Sequence, residues 1–348
     1  MDRRGFLKST GIAAVAGAGV AVPSVVAGGN APAGPRRDAL TVAAPWEDGT
    51  EGRGEALRAL TRRWASACEG RPAIDLIFRD DALAAFRAGA LDVVEVSPAT
   101  LAAEYDPAFA YFAGLPSPTA SDDAVLRWLV AGSGQSLLDE TAERHGLKVL
   151  PSGHRGEDVR LWSRTPITAA TDLAGKKISA DGMMADILAA LGAEVAIVPE
   201  DRLAAALATG DIDAAVGPGL LAAAALGVPR QAPHAVDLGL PRGGGIVALV
   251  LRLPAWLDLG RGGQACLSAL TREALTGAMT GTAMTTALAR RALAARTGVA
   301  FADAPADLRK SLPVLRDAAL AARAASSPDC ARIDTALFAA DPSRAAMA

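Results

Sequence analysis

Aromatic side chains are scarce in this sequence: two tyrosines, five tryptophans and seven phenylalanines make up 4% of 348 residues. Ala, Leu, Gly and Val dominate instead, which favours Ala-rich helices packed closely on small sheets. Histidine and cysteine are scarcer still. His145, His154 and His234 form no zinc motif, and Cys68, Cys266 and Cys330 show no metal-ligand spacing. An oxidising compartment would permit one disulfide and leave one thiol over, but the three cysteines are read here as buried small apolar side chains. No basic excess is present: the formal charge is −3, which argues against a nucleic-acid partner. A nucleophile motif, a phosphate loop and a paired His/carboxylate cluster are all missing, so the chain is read as a non-enzyme without a cofactor. Asp158 with His154 is the one imaginable acid–base pair, and nothing else supports it.

The first 27 residues read as a leader. Arg3-Arg4-Gly5-Phe6-Leu7-Lys8 is a twin-arginine export pattern, and the mild apolar run Ile12–Val22 that follows is too short to span a bilayer, which needs about 20 apolar residues. Val25-Val26-Ala27 offers a cleavage site. Arg3, Arg4 and Lys8 against Asp2 give this leader +2, which leaves the remainder near −5. Residues 28–38 form a Gly/Pro-rich linker.

The rest reads as alternating short strands and helices. Strands are expected at Leu40–Ala44, Ile74–Phe78, Val93–Val96, Val195–Val198, Ala214–Val216 and Ile246–Leu251. Leu57, Leu60, Trp64 and Cys68 fall at helical spacing, and three C-terminal helices are expected over Ala265–Arg296, Ala306–Ala325 and Pro328–Ala340, with Gly277 and Gly281 as weak points in the first. One corner appears twice: Phe86-x-x-Gly89-x-Leu91-Asp92 and Leu207-x-x-Gly210-x-Ile212-Asp213 both run from a helix end into a short strand. This suggests two lobes of related design.

Between these halves lies Gly153–Ile167. Read as extended chain, residues 157–162 put Asp158, Arg160 and Trp162 on one face and Glu157, Val159 and Leu161 on the other. A segment that leaves one lobe and enters the other with a polar face would line the cleft between them. Trp46, in the turn after the first strand, is a candidate pocket wall or a capping aromatic. Asp106-Pro107-Ala108-Phe109, the pair Tyr111-Phe112, Pro116, Trp128 and Gly132-Ser133-Gly134 follow in order; most of these aromatics are read as core.

These stretches resemble the periplasmic solute-binding proteins of TRAP (tripartite ATP-independent periplasmic) transporters, the DctP-like family, in the branch that binds 2-oxo acids and related carboxylates. The likeness runs from about Leu40 to Ala340. It implies an α/β fold of two lobes, class II-like, joined by crossing hinge strands and backed by long C-terminal helices. The implied segments are a first lobe over 39–155 plus about 246–285, a second over 156–245 plus about 286–325, and a tail over 326–348. The implied role is capture of a small organic acid in the cleft, in the periplasm, and delivery to the membrane subunits of a permease; a homodimer is left open.

The sequence departs from the family where the ligand is held. The arginine that usually clamps the ligand carboxylate falls, by alignment of Thr171–Ile178, on Ser179, which supplies neither charge nor fork. The Glu-Trp pair expected before Gly217-Pro218 is missing, which removes a carboxylate that often helps hold a cation. The crossing stretch carries His154, Arg155, Asp158 and Arg160 instead of small polar residues, and Arg242 precedes three glycines at the second crossing. The candidate ligand-binding set is therefore Trp46, His154, Arg155, Asp158, Arg160, Trp162, Ser179 and Arg242. Arg160 or Arg155 is a relocated binding charge, or else these charges pair with Glu157 and Asp158 and fill the cleft. A receptor for a non-carboxylate ligand, a sensor or a degenerate pocket is the alternative.

Overall fold

The computed structural model describes residues 39–45, 53–68, 71–113, 122–154, 160–217, 219–238 and 245–339. Trp46, Arg155, Asp158, Arg242 and the leader lie outside these. The described chain is one compact unit. It opens with β1 (Ala39–Ala44), α1 (Arg53–Ala67), β2 (Ala73–Phe78), α2 (Ala82–Arg87), β3 (Val93–Val96) and α3 (Pro98–Glu104). A 3-10 turn over Pro107–Ala113, α4 (Asp122–Ala131), α5 (Gly134–Glu143) and β4 (Leu147–His154) complete the first half. The second half has β5 (Leu161–Ser163), β6 (Lys177–Ser179), α6 (Gly182–Ala190), β7 (Glu194–Ala196), α7 (Leu203–Thr209), β8 (Ala214–Val216), α8 (Leu220–Leu226), α9 (Val228–Gln231) and β9 (His234–Asp237). Then come β10 (Ile246–Arg252), α10 (Leu253–Asp258), α11 (Gly260–Thr297), β11 (Ala300–Asp303), α12 (Ala306–Ala325) and α13 (Pro328–Ala339).

The strands make two sheets, ordered β2-β1-β3-β10-β4 and β11-β9-β5-β8-β6-β7. In each sheet one strand runs against the rest. β10 pairs antiparallel with β3 and β4, and β5 pairs antiparallel with β8 and β9; the other pairings are parallel. The odd strand is the one by which the chain enters each sheet from the other: β4 leaves the first sheet and the chain enters the second as β5, while β9 leaves the second and the chain enters the first as β10. Each sheet therefore receives one crossing strand, and the carboxyl ends of the parallel strands lie at the same edge as the crossings.

The repeated corner extends further than its sequence. Gly89 and Gly210 both take positive φ, at 86° and 82°, a conformation a Cβ would strain. In each lobe the antiparallel strand closes on the corner with an arginine: the Arg252 N–H donates to Asp92 O at 3.0 Å, and the Arg164 N–H donates to Asp213 O at 3.1 Å. Each guanidinium then lies over its glycine, 3.3 and 3.1 Å from where a Cβ would sit. Arg252 and Arg164 are far apart in sequence and carry no shared motif, so this part of the repeat became visible only in three dimensions.

Three apolar clusters fill the layers. One lies between the first sheet and α1, α10 and α11, and buries Leu57, Leu60 and Trp64 at the spacing of one helix face. Another lies between the second sheet and α7, α8, α9 and α11, and includes Trp162, Ala215 and Ala235. The largest covers the remaining faces of both sheets together with α12 and α13. Alternation across β5 thus sends Leu161 and Trp162 into different clusters.

Three local expectations need correction. Cys68 and Cys266 are bonded to each other, with Cα atoms 6.2 Å apart, and only Cys330 stays a buried free thiol. Their separation of 198 residues left no spacing to read, whereas the packing of α1 on α11 brings them together. Arg160 stands just before β5 rather than within it, because pairing starts at Leu161, where β8 and β9 flank the chain; residues 157–159 lie outside the described residues. Strand β7 ends at Ala196, short of Val198, whose N–H turns to the Ser179 hydroxyl.

Candidate functional site

Ligands in open α/β sheets sit outside the carboxyl ends of the strands, where loops supply polar groups without breaking the core. Here both sheets present that edge to the crossings. On the first sheet it carries Glu95 near the end of β3 and Ser152, Gly153 and His154 at the end of β4. On the second it carries Ser179 at the end of β6, Asp237 at the end of β9 and Arg160 just before β5.

The first edge is built around a buried ion pair. Arg53 opens α1 and is 4% exposed; its Nη2 donates to Glu95 Oε1 at 2.5 Å, and Glu95 is 1% exposed. The Ser152 hydroxyl donates to the same oxygen at 2.9 Å. It can do so because the β4/β10 register slips between Val247 and Ala248, so Ser152 is bulged and its side chain re-aimed. Gly153 is required beside it: a Cβ there would lie 2.0 Å from Arg53 Nη1. His154, 6% exposed, ends the strand opposite Ile246.

The second edge has its own pair. Arg160 is 2% exposed, stands 3.5 Å from the Asp237 carboxylate, and lies over the Phe301 ring at 5.4 Å from its centroid. Trp162 is fully buried in the cluster under α7, α8 and α9. Ser179 is buried, and its Oγ accepts the Val198 N–H at 3.2 Å. Of the sequence candidates within the described residues, the structure brings His154, Arg160 and Ser179 to the facing edges and places Trp162 in the core of the second lobe.

Sequence reading missed Arg53, Glu95, Ser152 and Asp237. Two signals were there: Glu95 interrupts the apolar run Val93–Val96, and Arg53 puts a cation in the first turn of a helix, where the dipole favours an anion. The aromatic cluster is core, as expected for most of it. Phe112 stacks on Trp128 at 5.3 Å, and burial pushes the Tyr111 phenol far above its ordinary pKa.

Among the described residues no group of three or more His, Cys, Asp or Glu side chains converges as a metal would need. β8 presents Ala214, Ala215 and Val216, so its side chains offer a cation no oxygen. No described helix is long and apolar enough to cross a membrane.

Residues 68–239 match the model of the DctP family, described as bacterial extracellular solute-binding protein, family 7. The chain carries a DctP-family solute-binding domain. That family is defined by solute binding rather than by a reaction. A monocarboxylate 2-oxoacid-binding periplasmic protein of Nostoc sp. is 26% identical over 147 residues, which are 42% of this chain and 40% of that relative's length. The fold is that of TRAP solute-binding proteins. One from Bordetella bronchiseptica, solved as a dimer with calcium and picolinate in one site and the other empty, superposes with a TM-score of 0.81 at 19% identity, over 90% of this chain and 94% of its own. Another, from Pseudoalteromonas atlantica with bound sodium and pyruvate, gives a TM-score of 0.81 at 19% identity, over 89% and 96%.

Proposed function

We propose that this DctP-family chain is the periplasmic receptor of a TRAP-type transporter. It holds a small organic acid between the carboxyl edges of its two sheets and hands it to the membrane permease. The observation that carries this reading is a buried arginine at the carboxyl edge of each sheet, where the crossings lie: Arg53 at the start of α1 on one and Arg160 just before β5 on the other. An acid taken out of water needs such a compensating donor, because an unpaired buried ion costs several kcal/mol or more. Arg160 takes the place of the charge missing at Ser179, with His154 beside the crossing; Arg155, Asp158, Trp46 and Arg242 belong to the segments that border the same edges in sequence. Ligand binding here involves no chemistry on the ligand. Export follows the twin-arginine signal Arg3-Arg4, and a homodimer is supported by the dimeric Bordetella neighbour.

The test is a thermal-shift screen of small acids, amino acids and sugars, with calorimetric titration of the hits. Acids should raise the melting temperature in a dose-dependent way. A screen in which only neutral compounds bind would replace this reading with its alternative. That alternative, a receptor of the same fold for a non-carboxylate solute, is favoured by one feature: the Ser179 hydroxyl is already engaged by Val198 and brings no charge to its edge.

A further inference from the structure

The Arg53 cluster is more than a structural ion pair. A buried guanidinium that served only to neutralise Glu95 would be expected to have all its donors satisfied, since each buried donor left open is destabilising. Arg53 is not arranged that way. Its Nη2 is taken by Glu95, but its buried Nε–H finds no acceptor among the described residues. The surroundings hold it in that state. Glu95 Oε1 is shared with Ser152, which fixes the carboxylate, and the missing Cβ of Gly153 gives Nη1 its seat. The bulge at Ser152 exists where β4 reaches the crossing, at the edge where a ligand would lie. The hydrogens on Nε and Nη2 of a guanidinium point the same way and form the fork that matches a carboxylate.

We propose that Arg53 is the first lobe's ligand contact: its Nε–H binds one oxygen of the solute's carboxylate, while Glu95, Ser152 and Gly153 position the guanidinium. This rests on the receptor reading above and makes it specific. The preferred solute carries a planar carboxylate rather than an amide or a hydroxyl at the first-lobe end. Glu95 also limits the choice, because its negative charge beside the fork disfavours a second anionic group at that end.

The test compares acids with their neutral amides: pyruvate with pyruvamide, and picolinate with picolinamide. Changing Arg53 alone would take the Arg53 cation away from the buried Glu95 carboxylate, so the main variant is the double change Arg53→Gln with Glu95→Gln. Arg53→Lys, which keeps the charge beside Glu95 but loses the Nε donor, is the second variant. Wild type should prefer an acid over its amide, and both variants should lose about tenfold or more in acid affinity with little change for the amide. Folding of each variant is checked by its melting curve. Gly153→Ala, which intrudes on the Nη1 seat, should lower acid affinity in the same selective way. If wild type binds acids and either folded variant keeps the full preference for acid over amide, Arg53 is a structural residue and the proposal is wrong. If wild type binds none of the acids, the receptor reading itself fails, and this one with it.

Discussion

Arg160 and Arg53 are both buried beside an acid, but their surroundings differ. Arg160 lies over Phe301 and stands 3.5 Å from Asp237, a loose contact to a partner that is 30% exposed, so a ligand carboxylate can compete for it. Arg160→Ala should therefore weaken a bound acid by about 1–3 kcal/mol, the range for a lost charge-assisted hydrogen bond. Calorimetric titration measures this; a lower melting temperature with unchanged affinity would assign Arg160 to the packing around Asp237 and Phe301 instead. Arg160 was legible in the sequence because it lies on the crossing stretch and breaks the family's pattern. Arg53 was not, because its meaning depends on Glu95 and Gly153, which are 42 and 100 positions away and meet it only through the sheet. Contacts between residues close in sequence leave a pattern there, and contacts made across a sheet do not.

Among the elements, the strands β1, β2, β3, β8 and β10 and the helix α12 were legible nearly to the residue, since apolar patterns bounded by glycine, proline or polar residues mark them locally. What joins elements was hidden. The disulfide Cys68–Cys266 fastens the end of α1 to the first turns of α11 and closes a loop of 198 residues. The chain-entropy account gives such a loop about 5 kcal/mol, and native disulfides generally contribute about 2–5 kcal/mol. Reduction, or Cys68→Ser with Cys266→Ser, should lower the denaturation midpoint by a corresponding amount; an unchanged midpoint under full reduction would contradict this. A second joint is electrostatic. Asp172 accepts the Thr168 N–H at 2.7 Å, its hydroxyl at 2.8 Å and the Ala169 N–H at 3.0 Å. Asp307, at the start of α12, accepts the Ala170 N–H and the Leu308 N–H, both at 2.8 Å. These donors, the backbone N–H groups first, hold both carboxyls below their ordinary pKa. Their stabilising effect is complete above the ordinary carboxylate pKa of about 4 and is lost as pH falls through the lowered folded values. Melting temperature should thus fall as pH drops below about 4, and Asp307→Asn should make that fall shallower. An equally steep fall in the variant would show that other carboxyls govern acid unfolding.

For the molecule as a whole, the question is how two lobes joined at several places can close on a solute. The two crossings are the shortest connections. α11 is the longest: its first half packs on α1 and β4 and buries Leu267 under the first sheet, while its second half packs on α8 and α9 and buries Ala289 and Leu293 under the second. The disulfide ties the first half to its own lobe, so any relative motion must be absorbed further along. α12 packs on α6 of the second lobe, and α13 on α5 and the 3-10 turn of the first. α11 runs unbroken through Gly277, which is exposed and has open space where a Cβ would be, so packing gives no reason for glycine there. An interior helix glycine costs about 0.5–1 kcal/mol relative to alanine, and it leaves the helix easier to bend at that point. Closure should therefore turn about the crossings with α11 flexing between Leu275 and Ala289. Small-angle scattering should show a smaller radius of gyration at saturating acid than without it. Gly277→Ala should raise the melting temperature while reducing that change in radius. An unchanged radius in the wild type at saturating ligand would rule out the hinge, and a full change in the variant would place the flexing elsewhere than in α11.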